Sequence, residues 1–333
     1  MRGCECLHEP TDGVAGTANL IMIVCILPVI SLLGIILNFI NITVFSDQRG
    51  TAAKYLTALS CSDVGVCMAG IFVICSDSLR AHSFFVDQLF VFLLPKIIPL
   101  GLFFQMLSVY ITVLAAFDCF VSVYRGTSVT TARGIWAPRV LAVIVIIVAF
   151  YNLVQFGDLQ AIECLHPDNF TLYELCPTEL RVSEAYVVVY KGYMYALSMA
   201  FIPFVLLSIL TVGILSILRR NQDSEKSDCS EAQEQSSTTV LLLVIFLFLA
   251  CNVTSLLVNI FEMFHITLPV SHEAILIDVG NFLVVINATA NFFIYYLSSP
   301  EYKSDVQRRF RRTIGRLSKR KPIDLLHNHV EYV

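Results

Sequence analysis

Residues 20–45 read LIMIVCILPVISLLGIILNFINITVF, an apolar run without a single charged side chain. An α-helix needs about 20 apolar residues to cross the roughly 30 Å hydrocarbon core of a membrane. A buried helix of a water-soluble protein is usually shorter than this run and carries charge on at least one face. The run therefore predicts a transmembrane helix.

Runs of the same kind recur along the whole chain. Of its 333 residues, 56% are hydrophobic and only 14% are charged, whereas a soluble domain has about 25% charged residues. We therefore predict an all-α membrane protein, a seven-transmembrane helix bundle over residues 20–297. The predicted spans are residues 20–45, 55–75, 88–124, 138–156, 185–218, 239–262 and 274–297.

Basic residues are distributed unevenly between the predicted loops. Cytoplasmic loops collect Lys and Arg, and 17 of the 22 basic residues lie inside when the N-terminus is placed outside. We expect an extracellular N-terminus of residues 1–19 and a cytoplasmic tail of residues 298–333, in a multi-pass protein of the plasma membrane. Residues 1–16 lack the apolar core of a signal peptide, so the first span is expected to act as the insertion signal.

The predicted outer segments are acidic. They carry 14 of the 26 acidic residues and only five basic residues. An acidic, water-filled mouth attracts cations and raises their local concentration. This pattern favours a cationic ligand on the outer side.

Five polar side chains of the predicted spans stand out, because polar residues are costly inside a membrane and usually functional there. Asp63 is the one carboxylate at mid-membrane depth, and Ser108 lies midway along the third span. Asn287 and Asn291 are four residues apart and so share one face of the seventh helix, and Asn38 lies in the first. A carboxylate in lipid needs polar groups or a cation around it, so we expect these residues to form one cluster.

Short motifs occur in a definite order along the seven spans. They are Asn38, Leu59–Asp63, Tyr110–Val113, Asp118–Phe120, Tyr151–Asn152, Ile202–Phe204, Val258–Glu262, Asn281–Val284 and Asn291–Tyr295. In this order and at these depths the chain resembles the rhodopsin-like (class A) G-protein-coupled receptors, and among them the invertebrate FMRFamide-type neuropeptide receptors. The resemblance extends from about residue 20 to residue 310.

The resemblance implies a receptor for an extracellular FMRFamide-like peptide that signals through a heterotrimeric G protein, and not an enzyme. It implies a sodium-binding pocket and no other metal, cofactor or nucleic-acid partner. It also implies a short amphipathic helix after the seventh span that meets membrane lipids. The implied pocket consists of Asp63, Ser108, Asn287 and Asn291, closed by Asn38, and the implied lipid contacts are Arg308, Arg309, Arg311 and Arg312.

The inner end of the third span departs from the family pattern. It reads Asp118-Cys119-Phe120 where the family usually has Asp or Glu, Arg and Tyr. In the family that Arg contacts the G protein and restrains the inactive state. Pro203 and Tyr295, which the resemblance assigns to the helix movements of activation, are present. An atypical receptor with weak G-protein coupling is therefore an alternative.

The ligand class can be narrowed by two absent residues. Amine receptors need an Asp in the third helix where this chain has Gly101, and opsins need a Lys that the predicted seventh span lacks. For a peptide ending in Arg-Phe-amide, we expect Glu262 or Asp278 to pair with the Arg, and Gln105 to line the same site. A chemosensory receptor for small molecules is the alternative.

Four cysteines lie in the predicted outer segments, namely Cys4, Cys6, Cys164 and Cys176. We expect Cys164 and Cys176 to form a disulfide that closes a hairpin with limbs at residues 160–165 and 170–176. Pairing of these residues with Cys4 or Cys6 is the alternative.

Two short sequence motifs predict a modification site and a partner contact at the protein surface. Asn169-Phe170-Thr171 is the Asn-x-Thr triplet that faces outward, so Asn169 is the predicted glycosylation site. The chain ends in Val330-Glu331-Tyr332-Val333, a terminus that some PDZ domains accept by strand addition. Val333 is therefore a candidate contact for a PDZ domain.

Overall fold

A computed structural model describes residues 4, 6, 13–48, 50–80, 82–125, 130–166, 170–222, 229–263 and 269–320. At residues 13–14, 130–134, 221–222, 229–237, 262–263, 270–271 and 313–320 it describes the backbone alone. All statements below concern this part of the chain.

Seven helices in this part are long and apolar enough to cross a membrane. They are Ala15–Ser46, Thr51–Arg80, Leu94–Arg125, Ile135–Gly157, Tyr186–Arg220, Thr238–Phe261 and His272–Ser298, called here the first to seventh spans. A further helix, Pro300–Arg320, follows the seventh span and is called the tail helix. The predicted all-α fold with seven spans and a helix after the last is confirmed.

The third span begins at Leu94, whereas the apolar run predicted a start at Gln88. A separate helix, Phe84–Val91, precedes it, and the Ser83 hydroxyl accepts a hydrogen bond from the Val86 N–H at its start. The chain turns at residues 92–93 before the span begins. A capping hydroxyl starts a new helix because it satisfies an N–H group that the first turn leaves unbonded. We call Phe84–Val91 the loop helix.

Three spans contain π-helical segments, in which each backbone hydrogen bond spans one residue more than in an α-helix. They are Leu20–Ile26 in the first span, Gly70–Cys75 in the second, and Tyr186–Met194 and Ala196–Phe201 in the fifth. All four lie in the halves of the spans nearer to the loop between the fourth and fifth spans. We call that end of the bundle the outer end, and the opposite end the inner end.

Small residues let the spans approach closely. Gly65 lies against the Phe104 ring, and Gly34 lies against Thr289 and Cys67, so a Cβ atom at either glycine would overlap these side chains. Close approach of this kind replaces the hydrophobic effect as a source of helix association in lipid. Large apolar side chains such as Phe150 point outward, where 71% of the residue is exposed. Such a surface suits hydrocarbon rather than water.

The outer loop between the fourth and fifth spans is a two-stranded antiparallel hairpin. Its strands are β1, Leu159–Leu165, and β2, Thr171–Pro177, within one residue of the predicted limbs. Cys164 lies opposite Leu172, and Cys176 lies opposite Gln160. The two cysteines are thus four positions apart along the ladder, or about 13 Å, which is too far for a disulfide.

The predicted Cys164–Cys176 disulfide is therefore wrong, and the alternative pairing with the N-terminal cysteines is present. Cys4 bonds to Cys164 and Cys6 bonds to Cys176, with Cα–Cα distances of 5.1 and 5.5 Å. Between the two bonds, the buried Glu174 carboxylate accepts a hydrogen bond from the Cys6 N–H at 2.7 Å. Cys4 and Cys6 are thereby fastened to the hairpin.

The loop helix is fastened to the other elements of the outer end by polar contacts. The Gln88 amide donates to the Tyr173 carbonyl at 2.8 Å and accepts from the Tyr173 N–H at 2.9 Å. The buried Arg80 guanidinium donates to Asp77 at 3.1 Å and to Asp87 at 2.8 Å. Cys4, Cys6 and the loop helix are consequently all connected to the hairpin at the outer end.

Candidate receptor sites

The polar residues predicted to cluster at mid-span do so around Asp63. The Asp63 carboxylate is fully buried and accepts hydrogen bonds from the Ser108 hydroxyl at 2.7 Å and the Asn291 amide at 2.8 Å. The second, third and seventh spans thus meet at one carboxylate. These two hydrogen bonds join three helices at the middle of the bundle.

Asn38 and Asn287 occupy different positions relative to this carboxylate. The Asn38 amide donates to the Gly34 carbonyl at 3.0 Å and to the Ala288 carbonyl at 2.8 Å, which links the first span to the seventh. Asn287 is buried, but among the described residues the side-chain hydrogen bonds to Asp63 come from Ser108 and Asn291. The structure therefore brings together Asp63, Ser108 and Asn291, whereas Asn38 of the first span bonds to the backbone of the seventh.

The donor set around Asp63 fits a small hard cation. The side-chain oxygen of Asn291 is buried and has no hydrogen-bond partner among the described residues. Carboxylate, amide and hydroxyl oxygens are the ligands that hard cations prefer. When bound, a sodium ion would supply the positive charge that a buried carboxylate needs. Asp63, Ser108 and Asn291 are the residues that would hold it.

A chain of contacts connects this region to the tail helix. The Asn41 amide donates to the Asn38 side-chain oxygen at 3.3 Å, and the Tyr302 hydroxyl donates to Asn41. Burial raises the pKa of the Tyr302 phenol, so this hydroxyl keeps its proton at physiological pH. Tyr302 is only 2% exposed and anchors the tail helix beneath the first and seventh spans.

The residues predicted to act in activation lie at the inner end and at the middle of the fifth span. Asp118 and Cys119 line a cavity at the inner end, and Tyr295 is buried beside them. Phe120 packs on Gly213 of the fifth span, where a Cβ atom would lie 2.8 Å from its ring. Pro203 is the second residue of the regular helix Ile202–Gln222 that follows the π-helical segments. Because helical residues precede Pro203, the N–H that it lacks leaves a carbonyl of the preceding turn without its helical partner, and the Tyr110 hydroxyl donates to the Ser198 carbonyl at 3.1 Å.

The predicted ligand residues are only partly described. Asp278 lies half-buried near the outer end of the seventh span, and its carboxylate accepts a hydrogen bond from the Asn19 amide at 3.0 Å. Gln105 is partly buried one turn from Ser108 on the third span. The backbone of Glu262 belongs to the sixth span's helix, but its side chain lies outside the described residues, as do Asn169 and Val333.

One polar cluster was missed by sequence reasoning. The Asp158 carboxylate lies 2.7 Å from the Lys191 ammonium and 3.9 Å from the Arg181 guanidinium, and accepts a hydrogen bond from the Tyr186 hydroxyl. Lys191 also donates to the Gln155 side chain at 3.3 Å. The position of Lys191 within the apolar run 185–218 could have indicated the cluster, because a Lys inside a span usually has a partner. The cluster joins the outer ends of the fourth and fifth spans.

Comparison with known proteins places the chain among receptors. The family model described as 7 transmembrane receptor (rhodopsin family) matches residues 36–295. The chain is 31% identical to the probable G-protein coupled receptor frpr-1 of Caenorhabditis elegans, over 90% of this chain and 81% of that protein. It is 26% identical to the FMRFamide receptor of Drosophila melanogaster, over 90% of this chain and 55% of that protein.

A third relative is the FMRFamide peptide receptor frpr-18 of Caenorhabditis elegans, which is 28% identical over 85% of this chain and 67% of that protein. The chain thus spans about half the length of the Drosophila receptor and larger shares of the two nematode proteins. The family consists of receptors rather than enzymes, in agreement with the prediction from sequence. The family match covers all seven spans in whole or in part, and the chain therefore belongs to the rhodopsin family of seven-transmembrane receptors.

Proposed function

We propose that the chain is a plasma-membrane receptor for a peptide of the FMRFamide class and that it signals through a heterotrimeric G protein. The observation that carries this proposal is its similarity, over 85–90% of its length, to two receptors named for FMRFamide peptides. The seven-span bundle supplies the frame that such a receptor needs. Its outer end would take the peptide and its inner end the G protein.

The disulfides support placing the N-terminus and the hairpin outside the cell. Cys4–Cys164 and Cys6–Cys176 hold both elements at the same end of the bundle. Disulfides form and persist in oxidising compartments such as the secretory pathway and the cell surface, and are rare in the cytosol. We therefore propose that this end faces the extracellular side and that the tail helix faces the cytoplasm.

Asp278 is the described carboxylate best placed to meet a cationic group of the peptide. It lies half-buried near the outer end of the seventh span, where it is partly removed from water but still accessible. Its present partner is the neutral Asn19 amide. A peptide Arg would replace this neutral donor by a charged one, and a pair in which both partners are charged is the stronger contact.

We expect Asp278→Asn to raise the half-maximal concentration of an Arg-Phe-amide peptide roughly tenfold, because a hydrogen bond to a charged group contributes about 1.5–3 kcal/mol. Glu262→Gln is the second variant, since either acid is predicted to pair with the Arg. The measurement is a dose-response curve at matched surface expression. Glu273→Gln, an exposed acid on the same helix as Asp278, is the control and should leave potency unchanged. Wild-type potency in both Asp278→Asn and Glu262→Gln would disprove the pairing.

For the proposed sodium pocket we expect Asp63→Asn to abolish any sodium dependence of agonist affinity while the receptor still folds. An amide keeps the hydrogen-bonding shape of the carboxylate but supplies no negative charge to the ion. The measurement is agonist binding in sodium and in N-methylglucamine at equal ionic strength. Ser60→Ala, a buried hydroxyl of the same span, is the control. Sodium sensitivity that survives in Asp63→Asn would place the ion elsewhere.

The tail helix is proposed to lie along the cytoplasmic membrane surface. Tyr302 is buried against the bundle, whereas Phe310 is 67% exposed and is available to the lipid. Arg308 contacts Asp305 at 2.6 Å, and Arg309 contacts Asp47, so two of the four predicted lipid-binding arginines have acidic partners. Basic residues near the surface still favour anionic lipids. Contact of Val333 with a PDZ domain stays a proposal from sequence.

The function is tested by exposing transfected cells to Arg-Phe-amide peptides and, in parallel, to a panel of small odorants. The proposal predicts signalling with the peptides at concentrations where the odorants are silent. Surface labelling of the receptor provides the normalisation. Responses to odorants without a response to any peptide would favour the chemosensory alternative.

A further inference from the structure

The loop helix at the outer end has two unlike faces. Its polar residues Asp87 and Gln88 point toward the protein, where they bond to the second span and to the hairpin. Its other face carries large apolar side chains without such contacts: Phe85 is 76% exposed and Leu89 is 49% exposed. Residues four apart lie on the same face of a helix, so these two side chains are neighbours. The loop helix is therefore amphipathic.

The exposed apolar face continues from the loop helix into the third span. Phe92 and Leu93, in the turn between the two helices, are exposed, and so is Leu100 on the third span. Within residues 84–100, all of which the structure describes, Lys96 is the one exposed residue that carries a charge. The apolar face of the loop helix is thus continuous with the side of the third span that meets lipid.

The depth of the loop helix matches the surface of a membrane. Leu94, the first residue of the third span, precedes Ser108 at mid-span by 14 residues, which is about 21 Å along an α-helix. Half of a membrane with its headgroup regions is about 20–22 Å thick. The loop helix therefore lies at the level of the lipid headgroups, where aromatic side chains are enriched.

The edges of this face, but not its centre, rest on the hairpin. The Phe84 ring packs edge-on against Phe170 at 6.1 Å, and the Phe92 ring packs against Tyr173 at 4.7 Å between centroids. Phe85 and Leu89 point away from these contacts and from the bonded side of the helix. A contiguous apolar surface of this kind marks an interaction site, and its direction and depth fit lipid better than a ligand held between the spans.

We propose that the loop helix docks on the phospholipid bilayer in the leaflet at the outer end, with Phe85, Leu89 and Phe92 inserted between the headgroups. An amphipathic helix at an interface buries its apolar face about 5–10 Å deep, and the Lys96 ammonium lies within reach of the lipid phosphates. The polar face keeps its contacts with the second span and the hairpin. The proposal goes beyond the peptide-receptor function and stands independently of it.

The test places a single tryptophan on the apolar face of the full-length receptor in phosphatidylcholine nanodiscs. The chain has one natural tryptophan, Trp136, which Trp136→Phe removes. In that background Phe85→Trp and Leu89→Trp are the reporters, since both positions are exposed and take a larger apolar side chain without disturbing the core. Fluorescence quenching is measured with lipids brominated at the headgroup end of their acyl chains and with acrylamide dissolved in the water. Glu163→Trp, at an exposed position of the hairpin, is the control.

We expect the brominated lipid to lower the emission of both reporters about twofold and to leave the control unchanged, whereas acrylamide should quench the control more strongly. Adding Phe85→Asp to the Leu89→Trp receptor should reduce the lipid quenching, because a charge on the face opposes insertion. Gln160→Asp, which adds the same charge at an exposed position of the hairpin, should not.

Three results would overturn the proposal. The first is quenching of both reporters by acrylamide without quenching by the lipid, which would place the face in water. The second is lipid quenching of the control equal to that of the reporters. The third is protection of the reporters from acrylamide by an added Arg-Phe-amide peptide without any lipid quenching, which would assign the face to the peptide.

Discussion

Replacing Cys4 and Cys6 together by Ser is expected to remove most of the folded receptor from the cell surface. Each disulfide closes a loop of 160 or 170 residues, and a bond across a long loop stabilises the folded state by about 2–5 kcal/mol. Because the spans stay helical in the membrane after unfolding, the lower part of that range is expected for each bond. The loss also releases the N–H group that bonds the buried Glu174.

The measurement is the thermal inactivation midpoint of the detergent-solubilised receptor, together with its surface amount. Cys25→Ser and Cys61→Ser are matched controls, since both thiols are free and exposed on the spans, and they should change neither quantity. The single variants Cys4→Ser and Cys164→Ser should be equally destabilised because they break the same bond. A stable Cys4→Ser variant beside an unstable Cys164→Ser variant would contradict the pairing.

Cys119→Arg is expected to increase G-protein activation roughly tenfold or more at equal surface expression. In the family an Arg at this position packs on the G protein during activation. A contact with a charged group is worth about 1.5–3 kcal/mol, and Cys119 offers none. An Arg would also restrain the resting state by pairing with an acid such as Asp118, but an exposed ion pair contributes only about 0–1 kcal/mol. The gain in coupling should therefore be the larger effect.

This prediction is checked by agonist dose-response curves for both versions in one cell line, with receptor number measured by surface labelling. Cys119→Ser is the control, because it removes the thiol without adding charge and should leave coupling at the level of the natural chain. Strong signalling from the natural chain that Cys119→Arg reduces would show that the inner end couples through other residues.

The spans could be predicted from sequence because lipid imposes a simple length and polarity rule. The convergence of Asp63, Ser108 and Asn291 could also be expected, since a carboxylate inside a span needs polar groups or a cation around it. The disulfides could not be assigned in this way. Their pairing depends on the register of β1 and β2, which places Cys164 and Cys176 at opposite ends of the ladder, and cysteine spacing does not specify register.

Two other features could not be predicted from the apolar runs of the sequence. The loop helix is itself apolar, so only the Ser83 cap and the following turn separate it from the third span. The contact between Lys191 and Asp158 depends on the rotation of the fifth span relative to the fourth. Hydropathy gives the depth of a residue in the membrane but not the direction in which its side chain points.

The π-helical segments of the fifth span affect how its residues can be compared between relatives. Each i→i+5 hydrogen bond encloses one more residue than an α-helical turn. The side chains on the outer-end side of Ala196–Phe201 are therefore rotated about the helix axis relative to those of Ile202–Gln222. Insertion or deletion of a single residue there would change which side chains point into the bundle at the outer end. The part of the helix on the inner-end side of Pro203 would keep the same side chains directed into the bundle. A lineage of such receptors could thereby alter ligand preference through length changes while its signalling surface stayed constant.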